Sequence, residues 1–168
     1  MARKNESNLV VVCHNIRSAW NVGSIFRTAD GVGVAKVYLT GYTPAPPHPG
    51  ISKTALGAEK IVAWEKFAKL ETLLKKLKPS SAKASARKKE KYEIVALEQD
   101  EKSISINSYK SKRNIALILG NEVRGLNKAT LSKCDQIIEI PMRGEKESLN
   151  VSVAFGIAAY SIIFKAKP

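Results

Sequence analysis

The sequence predicts an α/β domain, a mostly parallel sheet with helices on both faces. Two observations carry that reading. Runs such as LVVVCHN (9–15) and NIALILGN (114–121) are apolar at consecutive positions, as in strands buried on both faces. They alternate with stretches of helical apolar spacing, the pattern of strands joined by covering helices. At 168 residues, and with no internal repeat, the chain reads as one domain over 1–168 with enough length for a sizeable core.

Each element has its own signal. After the first strand, SAWNVGSIFRTADGVG (18–33) places Trp20, Ile25, Phe26 and Ala29 at roughly helical spacing, and Gly31 and Gly33 stop the helix. KVYLTG (36–41) is a second strand. YTPAPPHPG (42–50) is a proline-rich loop, suited to neither helix nor central strand. AWEKFAKLETLLKKL (63–77), apolar at 64, 67, 70, 73, 74 and 77, predicts an amphipathic helix. YEIVALE (92–98) is a third strand and 114–121 a fourth. LNKATLSKC (126–134) is a short helix, QIIEIPM (136–142) a fifth strand, and 149–165 the last helix.

Composition narrows the function. Apolar content of 44% and charged content of 26% are ordinary for a globular chain and argue against wholesale disorder. The N-terminus, MARKNESN, holds no apolar signal core. The apolar tail is interrupted by Asn150, Ser152, Gly156 and Ser161 and makes a poor membrane span, so a cytoplasmic protein without a membrane partner is expected. Cys13 and Cys134 lack metal or disulfide spacing and read as reduced buried thiols. His14 and His48 are too isolated for a metal cluster, and no metal is expected. The net charge of +13 points to a polyanionic partner, nucleic acid before membrane. Residues 75–91 hold eight basic side chains and one acidic, a net +7. A mobile basic insertion is expected at 79–91, either a solvated linker or an arm gripping RNA phosphates.

Two glycine patterns are excluded. GVGVAK (31–36) has Lys36 where a third Rossmann glycine belongs, and it precedes a strand. GNEVRG (120–125) is followed by Leu126 and Asn127 where a phosphate loop has Lys and Ser or Thr. Three loops remain, HNIRSAWNVGSIFR (14–27), LGNEVRGLN (119–127) and IPMRGEKESLNVS (140–152), each leaving the carboxyl end of a strand. Singly, each has a plain explanation. Asn21 suits a helix cap and Arg27 a solvated helical position; Glu122 balances Arg124, and Ser148 caps the last helix. Together, at equivalent strand ends, they indicate one composite site.

NVGSIFRTADGVGV, LILGNEVRGL and IPMRGEKESLNVSVAFGIAAY resemble, in this order, the three motifs of the SpoU-type branch of the SPOUT superfamily, S-adenosyl-L-methionine-dependent RNA 2′-O-ribose methyltransferases of tRNA or rRNA. The resemblance spans residues 10–164 and is most specific in the third motif. It implies a deep C-terminal trefoil knot whose loops hold the cofactor, and a homodimer that completes the RNA site. Twelve of residues 149–164 are apolar, which suits a helix covered by sheet on one side and a second subunit on the other.

By that resemblance, S-adenosyl-L-methionine meets main-chain groups of Leu119, Gly120, Asn121, Ile140, Met142 and Leu149, with Ala96 and Leu97 as neighbours. Gly120, Gly125 and Gly144 would allow close backbone approach or positive φ. Arg27 matches the catalytic arginine. A guanidinium is a poor resting base, so it either stabilises the developing alkoxide while holding a phosphate or transiently accepts the proton. Asn21 orients Arg27 or the ribose, from its own subunit or its partner. Ser148 and Asn150 hydrogen-bond substrate or the arginine. Glu122 either makes a structural bridge or helps to position substrate or cofactor. The chain begins about eight residues before its first strand and ends just past its last helix, as in minimal members. RNA recognition is then expected from the dimer surface, residues 75–91 and the loop 43–60. Two alternatives stay open: a catalytically silent knotted RNA-binding module, and a methyltransferase acting on a base nitrogen.

Overall fold

The computed structural model describes residues 9–78, 91–110 and 114–164. The elements run β1 (Leu9–His14), α1 (Ala19–Val32), β2 (Lys36–Thr40), α2 (Pro49–Ala55), α3 (Ala58–Ile61), β3 (Trp64–Phe67), α4 (Leu70–Leu77), β4 (Tyr92–Leu97), β5 (Ile104–Ser105), β6 (Asn114–Leu119), α5 (Lys128–Leu131), β7 (Gln136–Glu139) and α6 (Val151–Phe164). The strands form one sheet in the order β3-β2-β1-β6-β4-β7-β5, and every neighbouring pair is parallel.

Burial on both faces explains the continuous apolar runs. Leu9, Val11 and Cys13 of β1 join one core with Ile115, Leu117 and Leu119 of β6, under α1, α2 and α6. The intervening Val10, Val12, Ala116 and Ile118 join a second core under α4 and α5. Successive side chains of a strand point to opposite faces, so both sets must be apolar. The chain adds β2 and β3 on one side of β1, then builds the rest of the sheet on the other. Ligands of open α/β sheets bind beyond the strands' carboxyl ends at such a reversal.

Helix α1 ends where Gly33, at φ 78°, lets its N–H reach the carbonyls of Ala29 and Asp30. It packs beside α6, close enough that a methyl on Gly156 would lie 3.8 Å from Thr28 Cγ2. In α6, Phe155, Ala158 and Ala159 are buried, whereas Val153, Ile157, Tyr160 and Phe164 are exposed. Those four fall at helical repeats and form an apolar stripe along one side.

The helix expected over 63–77 is replaced by strand β3 followed by α4. Trp64–Phe67 pairs with Val37–Thr40 of β2, which has no other neighbour on that side. Apolar residues at 64 and 67 fit a helical face equally well, and the unpaired strand edge decides between the two. The proline-rich loop also ends sooner than expected. Pro49 is the first residue of α2, where its missing N–H costs nothing, and His48 Nδ1 accepts the Gly50 N–H at 3.0 Å. Of the basic insertion expected at 79–91, all but Lys91 lies outside the described residues.

Candidate active site

Loops leaving β4, β6 and β7, with the first turns of α6, surround a cleft of about 200 Å³. Its wall includes Leu97, Leu119, Gly120, Asn121, Glu122, Gly125, Ile140, Met142, Ser148 and Leu149. Two of the three loops singled out by their position in sequence therefore build one cavity. The third, between β1 and α1, braces it from behind.

The loop after β6 turns back tightly. Asn121 O accepts the Gly125 N–H at 2.9 Å, and Asn121 Oδ1 accepts the N–H groups of Val123 and Arg124, each at 2.9 Å. The same side chain donates to Asn15 O at 3.1 Å and Tyr42 Oη at 2.9 Å. A methyl on Gly120 would lie 2.6 Å from Gly125 C and 2.8 Å from Leu126 N, so only glycine fits there. Gly125 sits at φ 61°, and a methyl on it would collide with Glu98 Oε2.

Glu122 fastens this loop to the start of α1. Its carboxylate accepts the N–H groups of Arg17 at 2.8 Å and Ser18 at 2.9 Å, and the Asn21 side-chain amide at 3.0 Å. Burial alone would push this carboxyl up. The hydrogen bonds outweigh burial and hold it below its ordinary value, so it is an anion. Asn21 Oδ1 in turn accepts from Asn150 Nδ2 at 3.1 Å. Asn150 Oδ1 accepts the Ser152 N–H at 2.9 Å and its hydroxyl at 2.7 Å, while Asn150 O accepts the Ala154 N–H. Asn150, not Ser148, therefore caps the last helix, and Ser148 is left on the cleft wall.

Other expected residues lie elsewhere. Ala96 is buried in the opposite layer with Ile94 and Ile118, one strand position out of phase with the cleft. Gly144 is exposed in the loop before α6, at no positive φ and with no atom within 4 Å of an added methyl. Asn21 and Asn150 stand behind the cleft instead of lining it. Arg27 is exposed on α1, and its guanidinium makes no hydrogen bond or ion pair among the described residues. Glu122 is not paired with Arg124; backbone amides take that place.

Several groups are excluded as reactive centres. Burial pushes the Cys13 thiol up to about 12 and Cys134, half-buried, to about 11, so both stay protonated. Burial also lowers His14, whose Nδ1 lies 2.9 Å from Thr40 Oγ1 and which does not line the cleft. Among the described residues, no group of three or more His, Cys, Asp or Glu could hold a metal ion, and no helix is long and apolar enough to cross a membrane.

Residues 8–160 match the model of the SpoU rRNA Methylase family. The chain belongs to the SpoU family. It is similar to the 23S rRNA (guanosine-2′-O-)-methyltransferase RlmB of Acinetobacter baylyi, with 34% identity over 161 residues, 95% of this chain and 61% of that protein. It thus spans about three-fifths of the length of the curated relatives it matches. Among solved structures, the A. aeolicus TrmH/SpoU tRNA modifying enzyme superposes with a TM-score of 0.77 at 27% identity, covering 95% of this chain and 75% of that one. The SpoU methyltransferase AviRb from Streptomyces viridochromogenes, in complex with AdoMet, shares the fold at a TM-score of 0.82 and 23% identity, over 96% and 59% of the two chains.

Within this SpoU site, two residues escaped notice in the sequence. Glu98 and Gln99 follow β4, and both line the cleft. Glu98 Oε2 accepts the Leu126 N–H at 2.8 Å, and Gln99 Nε2 donates to Glu147 O at 2.7 Å. Adjacent side chains thus hold the loop after β6 and the loop before α6. A Glu-Gln pair at a strand end carries no motif, and only the fold reveals what it joins.

Proposed function

We propose that this domain is an enzyme transferring a methyl group from S-adenosyl-L-methionine to a ribose 2′-hydroxyl of tRNA or rRNA. The observation that carries the reading is the cleft, walled by main chain that Gly120 brings into close packing. Such a wall offers fixed N–H and C=O groups, suited to the edge of an adenine. Leu119, Gly120, Ile140, Met142 and Leu149 would hold the cofactor, with Leu97 and Val151 giving apolar contact. Bound there, it supplies an electrophilic methyl on a sulfonium. The AdoMet complex of AviRb and the 2′-O-methyltransferase name of the Acinetobacter relative support this assignment. The same likeness of fold supports a trefoil-knotted C-terminal half.

The ribose hydroxyl must lose its proton as the new bond forms. Ser148 is the hydroxyl on the cleft wall that would orient it. Arg27 would hold the adjoining phosphate and stabilise the developing alkoxide. Because Arg27 stands outside its own cleft, beside the apolar stripe of α6, a homodimer through that stripe would bring it to the cleft of a second copy. Asn21, bound to Glu122 and Asn150 of its own chain, positions rather than reacts. RNA as substrate accords with the net charge of +13 and with a cytoplasmic location.

The test is calorimetric titration with S-adenosyl-L-methionine followed by transfer of its labelled methyl group to separate tRNA and rRNA pools. Saturable binding and labelled RNA are expected. Binding with no transfer to either pool would leave a silent RNA-binding module.

A further inference from the structure

Next to the cleft lies a second hollow of about 290 Å³, lined by Arg17, Tyr42, Asn121, Val123 and Arg124. It shares Asn121 and Val123 with the cleft. Nothing in the proposed transfer uses its two arginines or its tyrosine.

The tyrosine is both displayed and held. Tyr42 is 59% exposed, yet its N–H donates to Asn15 Oδ1 at 3.3 Å and its hydroxyl accepts from Asn121 Nδ2 at 2.9 Å. Asn15 adopts φ 56°, uncommon for a residue other than glycine, and Gly41 adopts φ 64°, where a methyl would collide with the Asn15 side chain. The backbone thus aims the ring outward before any ligand arrives, which lowers the entropic cost of binding to it.

The arginines are anchored at one end and free at the other. Their N–H groups are fixed, Arg17 to Glu122 Oε2 at 2.8 Å and Arg124 to Asn121 Oδ1 at 2.9 Å. Among the described residues, neither guanidinium has a hydrogen bond or ion pair. The Glu122 carboxylate, which accepts from the Arg17 and Ser18 N–H groups and the Asn21 amide, forms no ion pair with either guanidinium among the described residues.

We propose that this hollow binds single-stranded RNA next to the nucleotide being methylated. A base stacks on Tyr42 while Arg17 and Arg124 hold flanking phosphates. The inference rests on RNA being the substrate, and adds where the strand is gripped. Aromatic rings that stack bases, set in a cationic groove, are the usual means of holding single strands without reading their sequence.

The experiment measures binding of fluorescein-labelled oligouridylate, and of its abasic counterpart, to the full chain across a salt series. Wild type should prefer the strand that carries bases, and Tyr42→Ala should lose that preference, weakening oligouridylate binding about tenfold. Tyr42→Phe keeps the ring and should stay near wild type. Arg17→Ala and Arg124→Ala should each reduce the salt slope by about 0.7. Affinity for S-adenosyl-L-methionine should be unchanged in all four, which also shows that they fold. Equal affinity of wild type and Tyr42→Ala for oligouridylate overturns the proposal. So does a fall to monomers in Tyr42→Ala with RNA binding intact, which would assign the hollow to a second copy. Base-dependent binding by a protein that transfers no methyl group would sustain the hollow and refute the enzymatic reading alone.

Discussion

Asn150 Nδ2 donates to Asn21 Oδ1 at 3.1 Å, joining the start of the last helix to the first turn of α1 across 129 positions of sequence. Through Asn21 the link continues to Glu122, and through Asn150 to Ser152. Residues expected to share one reaction thus share one hydrogen-bond chain. Asn21, Asn150 and Glu122 act together by fixing where the loops stand.

Glu122→Gln should therefore destabilise the domain, by about 1–2 kcal/mol for weakened charge-assisted bonds to two backbone amides. The effect has a defined pH dependence. The folded carboxyl titrates below its ordinary 4.5, so its contribution is complete above that value and fades as pH falls through the lower folded one. Chemical denaturation at neutral pH and at successive acidic values should show the gap between wild type and variant closing below pH 4.5. A gap that stays constant with pH would contradict the clamp.

Gln99→Ala removes the bond to Glu147 O and with it one tie on the loop before α6. Affinity for S-adenosyl-L-methionine should fall about fivefold, equivalent to about 1 kcal/mol, with the global melting temperature little changed. Gln99→Glu, which cannot donate, should behave like alanine. Calorimetry on the three proteins decides this.

Gly120→Ala should be far more damaging. The added methyl meets the backbone of Gly125 and Leu126, neither of which can move without opening the loop. Loss of detectable cofactor binding is expected by calorimetry, in a chain whose far-ultraviolet circular dichroism remains that of an α/β protein.

Ile157→Asp and Tyr160→Asp place charge on the exposed stripe of α6 and should yield monomers in sedimentation velocity. Both positions are exposed in the single chain, so each variant should still fold and bind cofactor. If wild type itself sediments as a monomer at micromolar concentration, the dimer reading fails.

Sheet and site were legible in the sequence to different depths. The doubly buried strands declared themselves because β1 and β6 are apolar at five consecutive positions each, on both faces of the sheet. The cleft-lining residues were legible through their resemblance to family motifs, and the close packing at Gly120 and the positive φ at Gly125 show why glycine stands at those two positions. The placement of Trp64–Phe67 was not legible, since an open edge of β2, far away in sequence, decides it. Ala96 stands one strand position from Leu97, enough to send its side chain to the opposite face. Glu98 and Gln99 escaped because their partners, Leu126 and Glu147, lie 28 and 48 positions away in sequence and are brought near only by the fold. Arg27 was legible as a candidate, but its distance from its own cleft was not.

Arg27→Ala should reduce methyl transfer about a hundredfold or more while cofactor affinity stays within a few-fold. Arg27→Lys should also fail, because a point charge does not reproduce the planar fork. Mixing Arg27→Ala with Gly120→Ala subunits should restore part of the activity, since one composite site regains both an intact cleft and an arginine. No recovery on mixing would place Arg27 in the cleft of its own chain.

The most direct measurement of the central claim is the position of the transferred methyl group. RNA labelled by the protein from S-adenosyl-L-methionine is hydrolysed in alkali, which cleaves only where a free 2′-hydroxyl is present. The account predicts label in alkali-resistant dinucleotides, abolished by Arg27→Ala. Label recovered on a methylated base in fully hydrolysed nucleotides would contradict it.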